Sequence, residues 1–157
     1  MIRVLLISDT HGSLERFHRI KDRLGKIDTV FHAGDLGTDA GDIGLALNAP
    51  VYAVRGNCDD PFNASDMPFE RVVPLGGLRF YLTHGHRTGS EYALFLKAKE
   101  AHCAAAIFGH THRQFLGAYE DVLLVNPGSL TYPRDGNAGW AILEIENGDI
   151  NVHHYSI

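Results

Sequence analysis

Apolar and polar positions alternate along the chain with two different periods. Ile2-Arg3-Val4-Leu5-Leu6-Ile7, Thr29-Val30-Phe31-His32-Ala33 and Val51-Tyr52-Ala53-Val54-Arg55 are nearly continuous apolar runs. Runs of this kind suit strands covered on both faces. Between them the apolar positions recur at helical spacing: Leu14, Phe17, Ile20 and Leu24 in the first gap, Ile43, Ala46 and Leu47 in the second. Ser13 stands where a side chain would cap the first helix, and Gly25 where its last turn would end. The second helix is predicted over residues 39–48, closed by Pro50.

Residues 61–68 read as loop, and 70–74 and 78–83 as two strands around Gly76-Gly77. Thr88 and Glu91 have the spacing of a capping box. They predict a helix reaching about His102, with Tyr92, Phe95 and Leu96 along one side. The next strand is predicted at 104–108. The pattern then turns to strands alone, at 114–119, 122–126, 139–146 and 149–155. Pro127-Gly128-Ser129 turns the chain, and Asn147-Gly148 is a strong hairpin signal. Alternating strands and helices in the first two thirds predict a largely parallel sheet, and the last third an antiparallel one. Two sheets face to face with helices outside accommodate both. With 157 residues and no repeat, low-complexity tract or linker, one domain over 1–157 is expected.

Composition narrows the function. The net charge of −5 argues against a broad basic face gripping nucleic acid, so an anionic substrate needs a local positive centre such as bound metal. No apolar run reaches the ~18 residues of a membrane span, and Met1 leads into a strand without a signal-peptide pattern. Cys58 and Cys103 have neither zinc-site spacing nor the number for a disulfide framework, which points to the cytoplasm.

The chemistry lies at the ends of the apolar runs. Asp9 and His11, Asp35, Asn57, His84, and His110 with His112 each come just after such a run. Binding sites of open α/β sheets form at the carboxyl ends of strands. Five converging ends bring together two carboxylates, one amide oxygen and four imidazoles. Each residue taken singly is ordinary turn chemistry; their recurrence at five strand ends is not. Seven ligands exceed one tetrahedral zinc site and suit two ions sharing a carboxylate. Oxygen and nitrogen donors without thiolate fit Mn²⁺, Fe²⁺ or Zn²⁺, with nickel and cobalt as further candidates. Two ions ~3.5–4 Å apart form the clamp used for attack at phosphorus.

Asp9-x-His11, Gly34-Asp35, Gly56-Asn57, His84-Gly85 and Gly109-His110-x-His112 resemble, in order, the signature of the calcineurin-like metallophosphoesterases. The short chain and Asn126-Pro127-Gly128-Ser129 are similar to its small single-domain microbial phosphodiesterase branch. The resemblance implies a four-layer αββα sandwich. It implies that Asp9, His11 and His112 bind one ion, that Asn57, His84 and His110 bind the other, and that Asp35 bridges them. It further implies hydrolysis of small phosphodiesters by a hydroxide bridging two ions, Mn²⁺ first among them. Many members carry a histidine after the asparagine, which binds phosphate and protonates the leaving group; here that position is Cys58. The candidate catalytic residues are therefore Asn57, Cys58 and His86, with Asp60 a further candidate proton donor and Arg55 a candidate contact to a substrate oxygen. His32 is placed behind the ligands, and His18, His102, His153 and His154 at the surface. The nearest alternatives are a phosphomonoesterase and a protein-binding scaffold on the same fold, as in the retromer subunit that resembles this family. Neither nucleic-acid polymer nor membrane is an expected partner, and homo-oligomer formation is left open.

Overall fold

Strand β1 (Ile2–Ile7) shows how the apolar runs become layers. Its side chains alternate between two packed faces. Val4 and Leu6 join Phe31, Phe80, Leu82, Ile107 and Leu143 in one buried cluster, while Leu5 and Ile7 join Phe17, Ile20, Ile43 and Trp140 in another. The first cluster lies between two sheets and the second lies under helices. The computed structural model describes residues 1–62 and 64–157; Asn63, within the predicted 61–68 loop, lies outside the described residues.

The first sheet has the order β10 (Asp149–Ser156), β9 (Gly139–Glu146), β1, β2 (Thr29–His32), β3 (Val51–Ala53). The second has the order β4 (Glu70–Leu75), β5 (Leu78–Thr83), β6 (Ala105–Ile107), β8 (Val122–Pro127), β7 (Gln114–Tyr119). Helices α1 (Glu15–Ile20) and α2 (Ala40–Leu47) cover the outer face of the first through Phe17, Ile20 and Ile43. Helix α3 (Glu91–Glu100) covers the second through Leu94, Phe95 and Ala98, packed on Tyr81, Ala106 and Leu124. The layers are helix, sheet, sheet, helix, as expected. Phe80 is fully buried between the sheets, and truncating such a side chain to alanine costs about 3–5 kcal/mol.

The split into a parallel and an antiparallel part runs inside each sheet rather than between the two halves of the chain. β1, β2 and β3 pair in parallel, as do β5, β6 and β8. β9, β10, β4 and β7 pair antiparallel on the flanks. β8, from the last third, thus adds a sixth parallel carboxyl end to the site edge. Asn147 (φ 53°) and Gly148 (φ 80°) form the predicted tight hairpin, both left-handed as a type I′ turn requires.

Three local expectations are corrected. Ser13 does not cap α1: the N-cap is Leu14, with no side-chain bond, because Ser13 closes a turn onto Thr10. The cap of α3 is Ser90, whose hydroxyl accepts the Ala93 N–H, while Thr88 is held in a turn from Gly85. Along α3 the buried stripe is Leu94, Phe95 and Ala98; Tyr92 and Leu96 are exposed, and Tyr92 packs instead against Phe95 and Tyr119.

Candidate metal centre

All seven predicted ligands sit just past parallel strands, in loops whose backbone is bent to aim them. Asp9, His11, Asp35, His110 and His112 have φ between 48° and 74°. Residues with a Cβ rarely adopt this left-handed region, and when they do the strain marks sites where side-chain direction matters. Two glycines are required by close approach. A Cβ on Gly56 would collide with Asp35 Oδ1, and one on Gly109 with Ser8 Oγ and Asp9 Oδ2.

The donor atoms form two linked groups. Asp9 Oδ1 lies 3.1 Å from His112 Nε2 and 3.7 Å from His11 Nε2, and Asp35 Oδ2 lies 3.7 Å from His11 Nε2. Ligand atoms of Asp9, His11, Asp35 and His112 all fall within 4.8 Å of one another. Asn57 Oδ1 lies 3.0 Å from His84 Nε2 and 3.1 Å from His110 Nδ1. His84 Nε2 is 3.3 Å from Asp35 Oδ2. Asp35 therefore stands between the groups, with His11 on one side and His84 on the other. Asp9, Asp35, His84 and His112 are buried; Asn57 and His110 face solvent and form the open side.

Hydrogen bonds behind the rings decide what the front atoms present. His84 Nδ1 is 2.7 Å from the Ala33 carbonyl, and His112 Nδ1 is 2.7 Å from that of Tyr132. A carbonyl accepts only, so both Nδ1 atoms carry the proton and the neutral rings turn Nε2 lone pairs toward carboxylates. Asp9 Oδ1 is buried with no hydrogen-bond donor, although His112 Nε2 is 3.1 Å away. That distance without an aligned N–H is an acceptor facing an acceptor. A cation between them relieves the repulsion, and the oxygen and imidazole donor set fits divalent Mn, Fe or Zn.

Protonation is the relief available without metal. Burial acts to lower His84, but Asp35, as acceptor for the proton the ring would gain, and the charges of Asp9 and Asp35 outweigh it and raise its pKa. Asp9, as acceptor for the proton the ring would gain and as a charge, likewise raises His112. Burial would raise both carboxyls, yet their histidine partners hold Asp9 well below the usual range and Asp35 at about 2.

The proposed catalytic residues are placed less tightly. Cys58 gives its N–H to Asp35 Oδ1 at 2.8 Å, and desolvation followed by the Asp35 carboxylate pushes its thiol up to about 11. The His86 ring is 5.3 Å from His84 and 6.2 Å from His110, with Nδ1 buried and unpartnered. Asp60 Oδ1 accepts the Phe62 N–H. The Arg55 guanidinium lies over Phe69, 4.0 Å from the ring centroid.

Apart from His32, which the sequence placed behind the ligands, the supporting contacts escaped the sequence reading because serine and aspartate in loops look like turn formers. Asp59 Oδ2 accepts the N–H groups of Gly56 (2.7 Å) and Asp35 (3.2 Å), tying two ligand loops together. Ser129 Oγ donates to the Asp9 carbonyl (2.8 Å) and accepts the Tyr132 N–H (2.9 Å). Asn126 Nδ2 donates to the Gly109 carbonyl (3.1 Å). His32 is fully buried; its Nδ1 accepts the Gly34 N–H and its Nε2 bonds Thr10 Oγ1, which donates to Asp39. His154 is not a surface residue: it is half-buried, and its Nε2 reaches the Asn126 carbonyl at 2.8 Å. For Ser129 the available signal was its place beside Gly128 just past a strand end.

The chain is 32% identical to the probable metallophosphoesterase MG207 of Mycoplasma genitalium, covering 99% of this chain and 96% of that protein. It is 28% identical to phosphodiesterase YfcE of Escherichia coli K12, covering 92% and 88%. The crystal structure of Vps29 from Chaetomium thermophilum superposes with a TM-score of 0.79 at 24% identity, covering 99% and 95%, a likeness of fold alone. The family model of the calcineurin-like phosphoesterase superfamily domain matches residues 2–148. With that match laid over the ligand loops described above, the chain belongs to the calcineurin-like phosphoesterase superfamily, a family of metal-dependent phosphoric ester hydrolases.

Proposed function

We propose that residues 1–157 form one catalytic domain that holds two divalent ions and hydrolyses small phosphodiesters. The observation that supports this most directly is Asp9 Oδ1, a buried carboxylate oxygen without a donor, ringed by imidazole nitrogens. Asp9, His11 and His112 would hold one ion, Asn57, His84 and His110 the other, and Asp35 both. When bound, the ions would supply a water nucleophile at neutral pH and positive charge against the phosphoryl oxygens. Mn²⁺ fits a donor set without thiolate.

The chain's own residues define the rest. Ala33 and Tyr132 carbonyls fix the His84 and His112 tautomers, so no reorganisation is needed when substrate arrives. Asn57 and His110 face the opening and meet the substrate first. Cys58, with its thiol protonated, is a weak hydrogen-bond donor in place of an imidazole. That favours diesters whose leaving group departs with little help, and His86 is the second imidazole in reach of the cleft. The name of the YfcE relative supports a diester rather than a monoester substrate. Two unpaired cysteines support a cytoplasmic setting, and no helix among the described residues is long and apolar enough to cross a membrane. A scaffold on this fold has no use for a complete, strained ligand set.

The test is hydrolysis of bis(4-nitrophenyl) phosphate and nucleotide diesters by chelator-stripped and Mn²⁺-reloaded protein. Activity that is lost and restored with Mn²⁺ is expected. A reloaded protein inactive on every diester would overturn the reading in favour of a scaffold.

A further inference from the structure

On the His84 side, the centre adjoins a cavity of about 380 Å³ lined by Phe69, Thr83, His86, Arg87, Thr88 and Lys97. His86 joins the two: its ring lies 5.3 Å from His84 and 5.9 Å from Phe69. Two guanidiniums share the Phe69 ring. Arg87 Cζ is 4.3 Å from its centroid and Arg55 Cζ is 4.0 Å from it. Like charges on one ring repel, and a cation–π contact near solvent offsets that only weakly. Among the described residues the lysine and arginine ion pairs are Arg3–Glu144, Lys26–Asp28, Lys97–Glu70 and Lys99–Glu120, so Arg55 and Arg87 have no carboxylate partner. Glu70 also lines the cavity, but its carboxylate accepts the Tyr81 hydroxyl and faces Lys97. The opposite side of the centre is different: there Tyr132, largely exposed, packs against His11.

We infer that Arg87 and Arg55, braced on Phe69, form an anion subsite for one arm of the substrate, so that the preferred diesters carry a second phosphate on that arm. The guanidinium fork matches phosphate oxygens; Arg87 lines the cavity, and Arg55 on the same Phe69 ring adds a second positive charge beside it, so a bound dianion offsets both. The Tyr132 side takes the uncharged arm. This rests on the phosphodiesterase reading and adds its substrate class. The reaction is unchanged: the water oxygen joins phosphorus and gives up a proton, the ester P–O bond breaks, and the leaving oxygen departs as an anion or takes a proton.

The experiment compares two diesters with the same leaving group, thymidine 5′-(4-nitrophenyl phosphate) and the same ester bearing a 3′-phosphate, on the Mn²⁺-loaded protein. The phosphorylated ester should have a kcat/KM about tenfold higher, chiefly through KM, and the ratio should shrink as salt is raised. In Arg87→Gln and in Arg55→Gln/Arg87→Gln the ratio should fall toward one, while Arg19→Gln, an exposed arginine on α1, should keep the wild-type ratio. Equal kcat/KM values in the wild type, or a preference that survives the double substitution, overturn the subsite alone. Hydrolysis of neither ester overturns the phosphodiesterase reading and the subsite with it.

Discussion

His112 Nε2 and Asp9 Oδ1 stand 3.1 Å apart with no proton aligned between them, because the ring proton of His112 is engaged behind by the Tyr132 carbonyl. That arrangement costs stability as it stands and becomes favourable around a cation. It links the hydrogen bonds of a loop at 129–132 to the chemistry of a loop at 9–11, and it makes the site a matter of electrostatics rather than of residue type alone.

Asp35 lies between the two donor groups, so its loss should damage both. Asp35→Asn should lower bound metal from two ions toward none and reduce diester hydrolysis by more than about 10²-fold. Metal content of the purified variant and initial rates with added Mn²⁺ measure this. Near-normal turnover would show that the residue does not bridge.

Ser129 braces the Asp9 carbonyl from the last third of the chain. In Ser129→Ala the buried Asp9 carbonyl loses its hydroxyl donor and the part-buried Tyr132 N–H its acceptor. The expected destabilisation is about 1–3 kcal/mol by urea unfolding, with weaker metal affinity as well. A variant with unchanged midpoint and unchanged affinity would mean the brace is dispensable.

His32 gives a pH dependence of stability. Burial pushes its imidazole down to about 4 against the pull of Asp39, Asp59 and Asp9, so it is neutral when folded. The unfolded chain, with an ordinary histidine near ~6.5, binds the extra proton. Its contribution is therefore complete above pH 6.5 and is lost as pH falls toward 4, by about 2 kcal/mol at pH 5. Unfolding in EDTA at pH 7.5 and pH 5 should show a smaller acid loss for His32→Gln than for the wild type. Equal losses would place the proton elsewhere.

Cys58 sets the sensitivity to the leaving group. A positioned general acid contributes ~10²–10⁴ in rate, and a thiol held protonated up to about 11 is a poor one. Rates across aryl and alkyl diesters should fall steeply as leaving-group pKa rises. Cys58→His should flatten that slope and help the poorest leaving groups most. Equal slopes, or a variant worse on every ester, would remove this position from proton delivery.

The layers and the shared edge of the candidate ligands were legible in the sequence for the same reason. Continuous apolar runs such as 2–7 are buried on both sides, and the residues just past their carboxyl ends are delivered to one edge. Legibility failed where a local rule lost to a tertiary bond. Ser13 has the right spacing for a cap, but its loop is committed to the turn from Thr10 that aims His11. Tyr92 matches the helical period of α3, yet Leu94 and Ala98 reach the sheet while Tyr92 finds Tyr119 instead. Ser129, Asp59 and His154 act through contacts distant in sequence, with backbone partners that no spacing rule anticipates.

Asp9, His11, Asp35, Asn57, His84, His110 and His112 together are proposed to hold two divalent ions in each chain. Elemental analysis of protein reconstituted with Mn²⁺ and freed of excess metal, with anomalous scattering to locate the ions, measures it most directly. Close to two ions per chain are expected, one among Asp9, His11 and His112 and the other among Asn57, His84 and His110, with Asp35 touching both. No bound metal after reconstitution, or a single ion that leaves one group empty, would contradict it.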